Sequence, residues 1–227
     1  MRALILPGLD GTGELLAEFV GALEPGILAD VVAYPSVTRM DYDELAEFVE
    51  RSLPDERLLL VAESFSGPVA IKLAAKAPGR FVGLVLCASF AAPPRAPLSL
   101  FRRFLRLPLP VPGSGLVGRV AMGRWLTEPW KDRIESVIRK LRPEVARHRL
   151  HAIAGIDVSG ELRRIRCPIL YLQATGDRLV PAGAWARIQA CAPDARLAII
   201  DGPHFLLQAN PRLAAAAIAE FARGIAH

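Results

Sequence analysis

Short apolar runs separated by amphipathic stretches extend along the whole sequence. Five of these runs are nearly continuous: Ala3–Leu6, Leu58–Ala62, Phe81–Leu86, Ile169–Leu172 and Leu197–Ile200. A continuous apolar run of this length is typical of a strand that is buried on both faces of a parallel sheet. A weaker run, Ile27–Tyr34, predicts a sixth strand.

Helical patterns lie between the apolar runs. Their bounds are Gly13–Leu23, Tyr42–Ser52, Gly67–Ala77, Ala182–Cys191 and Pro211–Ile225. Because strands and helices alternate along the chain, helices are expected on both faces of the sheet. The sequence therefore predicts an α/β fold with three layers, α/β/α, around a mostly parallel sheet of about six strands.

The alternation of strands and helices breaks after Phe90. The stretch Ala91–Gly115 is rich in proline, and Leu116–Gly160 has helical patterns with no strand between them. The strand pattern resumes at Pro168. We therefore expect one α/β core formed by residues 1–90 and 161–227, and a helical cap insertion formed by residues 91–160 that lies over the sheet.

The composition excludes several classes of protein. With 227 residues, of which 52% are hydrophobic and 22% charged, the chain is suited to one folded domain rather than a disordered state. No apolar run reaches the ~18–20 residues that a transmembrane helix needs, so we expect no transmembrane segment. The three cysteines, Cys87, Cys167 and Cys191, form no CxxC pair. We therefore expect neither a disulfide framework nor a zinc ribbon, and a cytoplasmic location.

The charge is unevenly distributed along the chain. Sixteen basic and six acidic residues lie between Arg95 and Arg166, whereas the rest of the chain has 12 basic and 17 acidic residues. Such asymmetry is typical of a surface for an acidic partner or a membrane, and also of arginines that solvate the outer faces of helices. No basic run exceeds two residues and aromatics are not interleaved with the arginines, so no nucleic-acid partner is expected.

Chemically active side chains follow the predicted strands at their carboxyl ends. Ser64 comes directly after the run Leu58–Ala62 and Glu63, Asp177 follows the fifth predicted strand, and His204 follows the sixth. A glycine-rich turn, Pro7–Gly13, follows the first strand. Because the carboxyl ends of parallel strands meet at one edge of a sheet, we expect these residues to lie close together.

This order of Ser, Asp and His after parallel strands resembles the α/β-hydrolase fold superfamily over nearly the whole chain, and within it the small bacterial cap-bearing serine esterases. The insertion stands where that family carries its cap, after the sixth family strand. The family's nucleophile turn is usually G-x-S-x-G. Here it reads Ala62-Glu63-Ser64-Phe65-Ser66, followed by Gly67, so small residues replace both glycines. The resemblance implies that the family's N-terminal hairpin is missing, which leaves six strands.

The resemblance and the chemistry of the side chains imply a role for each residue. Free serine is a poor nucleophile, so Ser64 needs a base, and His204 would take its proton. Asp177 would hold the imidazole in the right tautomer and stabilise its cation. The backbone N–H groups of Leu9 and Phe65 are the expected oxyanion-hole donors. No metal and no organic cofactor is expected.

We therefore expect a serine esterase that cleaves carboxylic esters through an acyl-enzyme on Ser64. The turn PGLDGTG, which covers Pro7–Gly13, looks like that of small bacterial hydrolases and is also similar to the turn in the plant phytyl-ester and diacylglycerol acyltransferase group. An acyltransferase or a thioesterase with the same triad is thus an alternative. A further alternative is a non-catalytic ligand-binding protein of the same fold.

The predicted cap is apolar as well as basic. Its apolar residues include Leu98, Leu100, Phe101, Phe104, Leu105, Leu107, Leu109, Met122, Trp125, Leu126 and Trp130. These residues favour a small-molecule ester substrate with an apolar acyl or alcohol part. The basic residues around them, among them Arg102 and Arg103, would form a positive rim for an acidic carrier or an anionic surface.

Overall fold

A single sheet of six parallel strands forms the centre of the protein in the computed structural model, which describes residues 1–23, 25–94 and 113–225. The strand order across the sheet is β2-β1-β3-β4-β5-β6. The strands are β1 (Arg2–Leu6), β2 (Leu28–Val31), β3 (Leu58–Glu63), β4 (Phe81–Cys87), β5 (Ile169–Ala174) and β6 (Arg196–Ile200). All six predicted strands are confirmed, and every neighbouring pair is parallel.

Helices cover both faces of the sheet. They are α1 (Ala17–Leu23), α2 (Tyr42–Glu50), α3 (Gly67–Lys76), α4 (Ser114–Met122), α5 (Glu128–Lys140), α6 (Pro143–Ile153), α7 (Ser159–Leu162), α8 (Gly183–Cys191), α9 (Leu206–Ala209) and α10 (Pro211–Ile225). Helices α2, α3 and α8 pack on one face, and α1 and α10 pack on the other. This arrangement confirms the predicted three-layer fold.

The two hydrophobic cores lie on opposite faces of the sheet because successive residues of a strand point in opposite directions. In β3, Leu58, Leu60 and Ala62 belong to the core beneath α2 and α3. Leu59 and Val61 belong to the core beneath α1 and α10. Every residue of β3 is buried, and its sequence is a continuous apolar run from Leu58 to Ala62.

Burial on both faces, predicted for five of the strands, is wrong for the edge strand β6, and the other edge strand, β2, is also exposed. The Leu28 side chain of β2 is 62% exposed and the Ile199 side chain of β6 is 59% exposed. Each of these strands has a hydrogen-bonded neighbour on only one side. An apolar run therefore identified both strands but could not distinguish an edge from the centre of the sheet.

Helices α4 to α7 lie between β4 and β5, and no strand interrupts them among the residues described in that interval. Among the described residues, five ion pairs join this segment to the rest of the chain: Lys140–Glu14, Arg133–Glu18, Arg124–Asp201, Lys72–Glu161 and Arg187–Asp157. The predicted cap boundaries at residues 90 and 160 stay a prediction. The apolar residues predicted from Leu98 to Leu109, with Arg102 and Arg103, lie outside the described residues.

The cysteines are free thiols, since Cys87, Cys167 and Cys191 form no disulfide. Burial raises the pKa of the Cys87 thiol well above its ordinary value and the pKa of Cys167 to about 11. Neither side chain is therefore a reactive thiolate at neutral pH. Within the described ranges, no helix is both long enough and apolar enough to cross a bilayer.

Candidate active site

The turn after β3 presents Ser64 at the carboxyl edge of the sheet. Ser64 has a φ of 48° and begins a short 3-10 turn, Ser64–Ser66, that leads directly into α3. A positive φ is unfavourable for any residue with a side chain and is found where the surrounding structure enforces it. This strand-to-helix turn leaves the Ser64 side chain partly accessible while its neighbours Glu63 and Phe65 are buried.

The predicted serine, histidine and aspartate meet at this edge. Ser64 Oγ lies 2.8 Å from His204 Nε2, and His204 Nδ1 lies 2.8 Å from Asp177 Oδ2. The three residues come from the loops that follow β3, β6 and β5. The structure thus brings together, in one continuous hydrogen-bonded chain, three side chains that are far apart in sequence.

Backbone N–H groups fix the orientation of the Asp177 carboxylate. Its Oδ1 accepts from the backbone N–H groups of Leu179 and Val180, each at 2.8 Å, and its side chain is only 4% exposed. Because Oδ2 then faces His204 Nδ1, the hydrogen-bond network assigns the proton of the neutral imidazole to Nδ1. Nε2 is left as the acceptor for the Ser64 hydroxyl.

The turn after β1 lies beside the Ser64 turn because β1 and β3 are neighbours, with Leu6 opposite Ala62. The Asp10 carboxylate accepts from the backbone N–H and the hydroxyl of Thr12, and the Gly11 N–H donates to the Gly8 carbonyl. The turn is thus ordered by its own hydrogen bonds. Among the described residues, the Leu9 N–H has no protein acceptor, so it is free to bind a ligand oxygen.

Ser66 explains why the motif departs from glycine at its last position. Its φ of −81° is one that any residue adopts, so glycine is not required there. Its hydroxyl donates to the Pro7 carbonyl and lies 2.7 Å from the Tyr34 hydroxyl. Ser66 therefore links the nucleophile turn to the turn that carries Leu9, which a glycine could not do.

A glycine is required one residue later, at Gly67. A Cβ atom there would overlap the Ser89 hydroxyl and would lie 2.9 Å from Ser89 Cβ. Ser89 follows β4, and its hydroxyl donates to the Ser64 carbonyl at 2.6 Å. The close approach of β4 to the start of α3 is therefore the physical reason for the glycine.

Glu63 is a buried carboxyl group beneath the nucleophile turn. Desolvation raises its pKa to about 7, and nearby Asp10 adds to that rise. Hydrogen bonds from Gln208 and the Gly8 N–H, and the proximity of His204, act in the opposite direction. Its Oε1 atom has no hydrogen-bond partner among the residues that the structure describes. Glu63 thus contacts Gln208 and the turn after β1 rather than the reactive hydroxyl.

Two residues near the site were not singled out from the sequence, Ser89 and Arg149. Ser89 could have been noticed because it also follows a strand at its carboxyl end. Arg149 is on α6, where it is only 2% exposed. The signal for Arg149 is its spacing, since it lies four residues after the buried Val145 and three after the buried Ala146 and so continues the apolar face of α6.

The segment between β4 and β5 contacts the site from three sides. The Phe205 N–H, next to His204, donates to the Ala121 carbonyl of α4 at 3.1 Å. A Cβ atom on Gly176, next to Asp177, would lie 3.3 Å from the Trp125 ring. On the third side, the Leu9 side chain packs against Leu141, Val145 and Ala146. The segment from α4 to α6 therefore contacts three of the four loops of the site, those after β1, β5 and β6.

Within the part of the chain that the structure describes, no three His, Cys, Asp or Glu side chains are grouped so that they could hold a metal ion. The chemistry available at the site is that of a hydroxyl hydrogen-bonded to an imidazole, with the Leu9 N–H on the adjacent turn.

Comparison with known proteins identifies relatives over most of the chain. A family model described as the alpha/beta hydrolase fold matches residues 7–211. A curated relative named as the carbamate hydrolase RutD, from Caulobacter sp. (strain K31), is 34% identical over 83 residues. That alignment covers 36% of this chain and only 31% of the relative.

Solved structures share the fold at low sequence identity. An esterase from Exiguobacterium antarcticum superimposes with a TM-score of 0.82 at 12% identity, over 98% of this chain and 92% of that chain. A bromoperoxidase from Bacillus anthracis superimposes with a TM-score of 0.81 at 16% identity, over 98% of this chain and 91% of that chain. Since these two proteins carry different names for their reactions, the shared fold does not by itself specify the chemistry.

Proposed function

The chain belongs to the alpha/beta hydrolase fold family, and on that premise we propose that it cleaves carboxylic esters through an acyl-enzyme on Ser64. The observation that carries this proposal is the pair of 2.8 Å contacts that join Ser64 Oγ to His204 and His204 to Asp177. A serine hydroxyl within hydrogen-bond reach of a base, with the base held by a third group, is the geometry that nucleophilic catalysis requires.

In the proposed acylation step, Ser64 Oγ attacks the carbonyl carbon of the ester while its proton moves to His204 Nε2. The imidazolium that forms is stabilised by Asp177, whose carboxylate remains ionised. When the tetrahedral intermediate collapses, the bond from the carbonyl carbon to the leaving oxygen breaks. His204 gives its proton to that oxygen, and the alcohol leaves.

The negative oxygen of the tetrahedral intermediate is proposed to bind the backbone N–H groups of Leu9 and Phe65. Phe65 directly follows the nucleophile, and Leu9 is on the adjacent turn with an N–H that has no protein acceptor among the described residues. Loss of one such donor typically lowers the rate by about 10²–10³-fold. The bond from Ser66 to the Pro7 carbonyl supports a fixed distance between the two turns.

In the proposed deacylation step, water attacks the acyl-enzyme and His204 removes its proton. The acid leaves when His204 returns that proton to Ser64 Oγ. No metal or organic cofactor takes part in either step. An acceptor alcohol in place of water would make the same enzyme an acyltransferase, and a thiol leaving group would make it a thioesterase.

We propose that residues 91–160 form a cap over this edge of the sheet and select an ester with an apolar acyl or alcohol part. The contacts from Ala121, Trp125 and Val145 to the three loops support this placement. Exposed basic residues of the cap are proposed to face an acidic carrier or an anionic surface. Lys140, Arg133 and Arg124 pair with acidic residues of the core, so exposed cap cations outside these pairs, such as Arg119 and Arg142, would supply that surface.

A fluorophosphonate probe tests the nucleophile, because it reacts covalently with an activated serine. We expect mass spectrometry to locate the label on Ser64 in the wild-type protein and to find none in Ser64→Ala. We expect ester turnover by Ser64→Ala to fall by at least about 10³-fold while the circular dichroism spectrum is unchanged. A wild-type protein that is neither labelled nor active on esters, or a Ser64→Ala variant with normal turnover, would overturn the proposal.

A substrate panel then separates ester hydrolysis from its alternatives. Ester, thioester and amide substrates with the same acyl group are compared with and without an excess of a primary alcohol. We expect the free acid to be the main product from the ester in both conditions. Transfer of the acyl group to the alcohol as the main product would assign the protein as an acyltransferase, and a strong preference for the thioester would assign it as a thioesterase.

A further inference from the structure

We propose that Arg149 is a positioning residue for the oxyanion hole, and that it acts by holding the turn of Leu9 in place from α6. This inference rests on the proposed function, since it assigns a purpose to the Leu9 N–H. Arg149 comes from the segment between β4 and β5, whereas the turn follows β1. The residue therefore connects the proposed cap to the reaction centre.

The Arg149 guanidinium donates hydrogen bonds to the backbone of the turn. Its Nη1 donates to the Leu9 carbonyl at 2.7 Å and to the Asp10 carbonyl at 3.0 Å. Its Nη2 donates to the Pro35 carbonyl at 3.1 Å. All three acceptors are backbone oxygens of loops that follow β1 and β2, so one side chain fixes the relative position of two loops.

The space around the guanidinium leaves little freedom for movement. Gly11 lies so close that a Cβ atom there would overlap Nη1 and would lie 3.0 Å from Cζ. On another side, the guanidinium carbon lies 5.6 Å from the centre of the Tyr34 ring and 5.8 Å from that of Phe65. Phe65 supplies the second proposed oxyanion donor, so Arg149 contacts both halves of the proposed oxyanion hole.

Packing alone does not account for an arginine at this position. Burial removes the guanidinium from water, which is unfavourable for a cation and lowers the pKa of Arg149. A leucine or methionine would fill a similar volume without that cost. The features that only arginine provides here are a fork of donors that reaches several carbonyls at once and a fixed positive charge.

The contacts on Leu9 explain how Arg149 would act through the backbone. The Leu9 carbonyl is held by Arg149 and the Leu9 side chain packs against Val145 and Ala146 of the same helix. The Gly8 carbonyl shares a planar peptide group with the Leu9 N–H and accepts from the Gly11 N–H, so these contacts together set the direction of the Leu9 N–H. The positive charge beside the turn also favours a negative oxygen bound there, and exclusion of water strengthens that attraction.

The test compares Arg149→Met and Arg149→Lys with the control Arg147→Met. Arg147 lies on the same helix, where it is ion-paired with Glu144. With a p-nitrophenyl ester, we expect Arg149→Met to lower kcat by about 10- to 100-fold while KM changes by less than about threefold. Arg149→Lys keeps the charge but not the fork of donors and is expected to lie between Arg149→Met and wild type. Arg147→Met is expected to match wild type.

A second measurement separates positioning from a loss of folded protein. A trifluoromethyl ketone forms a tetrahedral adduct with an active serine, and the adduct carries a negative oxygen. We expect its inhibition constant to rise in Arg149→Met by the same factor by which kcat/KM falls, because both depend on the oxyanion donors. Ethylguanidinium is expected to restore part of the activity of Arg149→Ala, whereas ethylammonium is expected to restore less.

The outcomes are distinct for the two proposals. If Arg149→Met binds the ketone as tightly as wild type, or if guanidinium and ammonium compounds restore Arg149→Ala equally, Arg149 does not position the oxyanion hole. If Arg149→Met does not fold, the ketone inhibition constant of Arg149→Lys decides the question in the same way. If the ketone does not inhibit the wild-type protein and the fluorophosphonate does not label it, the proposed function itself is wrong.

Discussion

The Ser89 hydroxyl donates to the backbone carbonyl of Ser64 at 2.6 Å, from the end of the neighbouring strand. Ser89 is itself held, because its own carbonyl accepts from the Tyr171 hydroxyl at 2.8 Å. The nucleophile turn is thus supported by a chain of hydrogen bonds that crosses from β3 through β4 to β5. This support maintains the positive φ of Ser64, which the serine would not adopt by itself.

Gly67→Ala tests the close approach between α3 and Ser89. A Cβ atom at residue 67 would overlap the Ser89 hydroxyl and lie 2.9 Å from Ser89 Cβ. We expect this change to lower the free energy of unfolding by about 1–3 kcal/mol and to reduce kcat, because the turn must shift. In a double variant, Ser89→Gly removes the overlapping atoms and should restore part of the stability. Urea unfolding of the four proteins provides the measurement, and additive losses would contradict the overlap.

A comparison of Ser64→Gly with Ser64→Ala measures the backbone strain at the nucleophile. Both variants lack the hydroxyl, so both are expected to be inactive. Only glycine adopts a φ of 48° without steric cost. We expect Ser64→Gly to be more stable than Ser64→Ala by about 1 kcal/mol in urea unfolding. Equal stability, or a more stable alanine variant, would show that the turn stores no strain.

Asp177→Asn tests the orientation of His204. In the wild-type protein, His204 Nδ1 has the Asp177 carboxylate as an acceptor 2.8 Å away. An asparagine amide can present an N–H group there instead, which favours the wrong tautomer of His204. We expect kcat to fall by about 10⁴-fold with little change in KM, as steady-state kinetics would show. Asp157→Asn is the matched control, because Asp157 also accepts a loop N–H but is exposed. Loss of activity in the control to the same extent would exclude a specific role for Asp177.

Glu63→Gln tests the buried carboxyl group through the pH dependence of stability. The pKa of Glu63 is raised from an ordinary value of 4.5 to about 7 in the folded protein. Because the folded state binds this proton more tightly than the unfolded state, its stabilising effect is complete below pH 4.5 and disappears as the pH rises to about 7. The loss amounts to about 3 kcal/mol.

Urea unfolding between about pH 5 and 8 provides the measurement for Glu63. Wild type is expected to lose stability with rising pH across this window, whereas Glu63→Gln cannot titrate and should show a flatter profile. The two proteins share every other titrating group, including Asp10 and His204, so the difference between their profiles isolates Glu63. Parallel profiles would mean that Glu63 titrates normally.

The fold could be predicted because a central parallel strand must be apolar on both faces. Leu58–Ala62 and Phe81–Leu86 are such strands, and both are confirmed with nearly the same bounds. The edge strand β6 has a similar sequence but exposed side chains, and only tertiary structure reveals which strand is last. The predicted helix ends were less accurate than the predicted strand bounds, since α2 ends at Glu50 rather than at Ser52.

The meeting of Ser64, Asp177 and His204 could be predicted because each follows a strand of one parallel sheet. The position of Arg149 could not be predicted, because it depends on how α6 packs against a loop that is 140 residues away in sequence. The interpretation that arginines solvate the outer faces of helices is wrong for this residue, which is buried. Charge counted along a sequence does not reveal which single cation faces inward.

The contacts between the segment from α4 to α6 and the loops of the site affect how this protein could be re-engineered. Ala121, Trp125 and Arg149 each support a different loop of the core. A chimaera that received residues 91–160 from a related protein would import a new version of the proposed cap and would also replace these three supports. We therefore expect the active chimaeras to be those in which the donor segment retains an arginine whose guanidinium donates to the backbone carbonyls of the Leu9 turn.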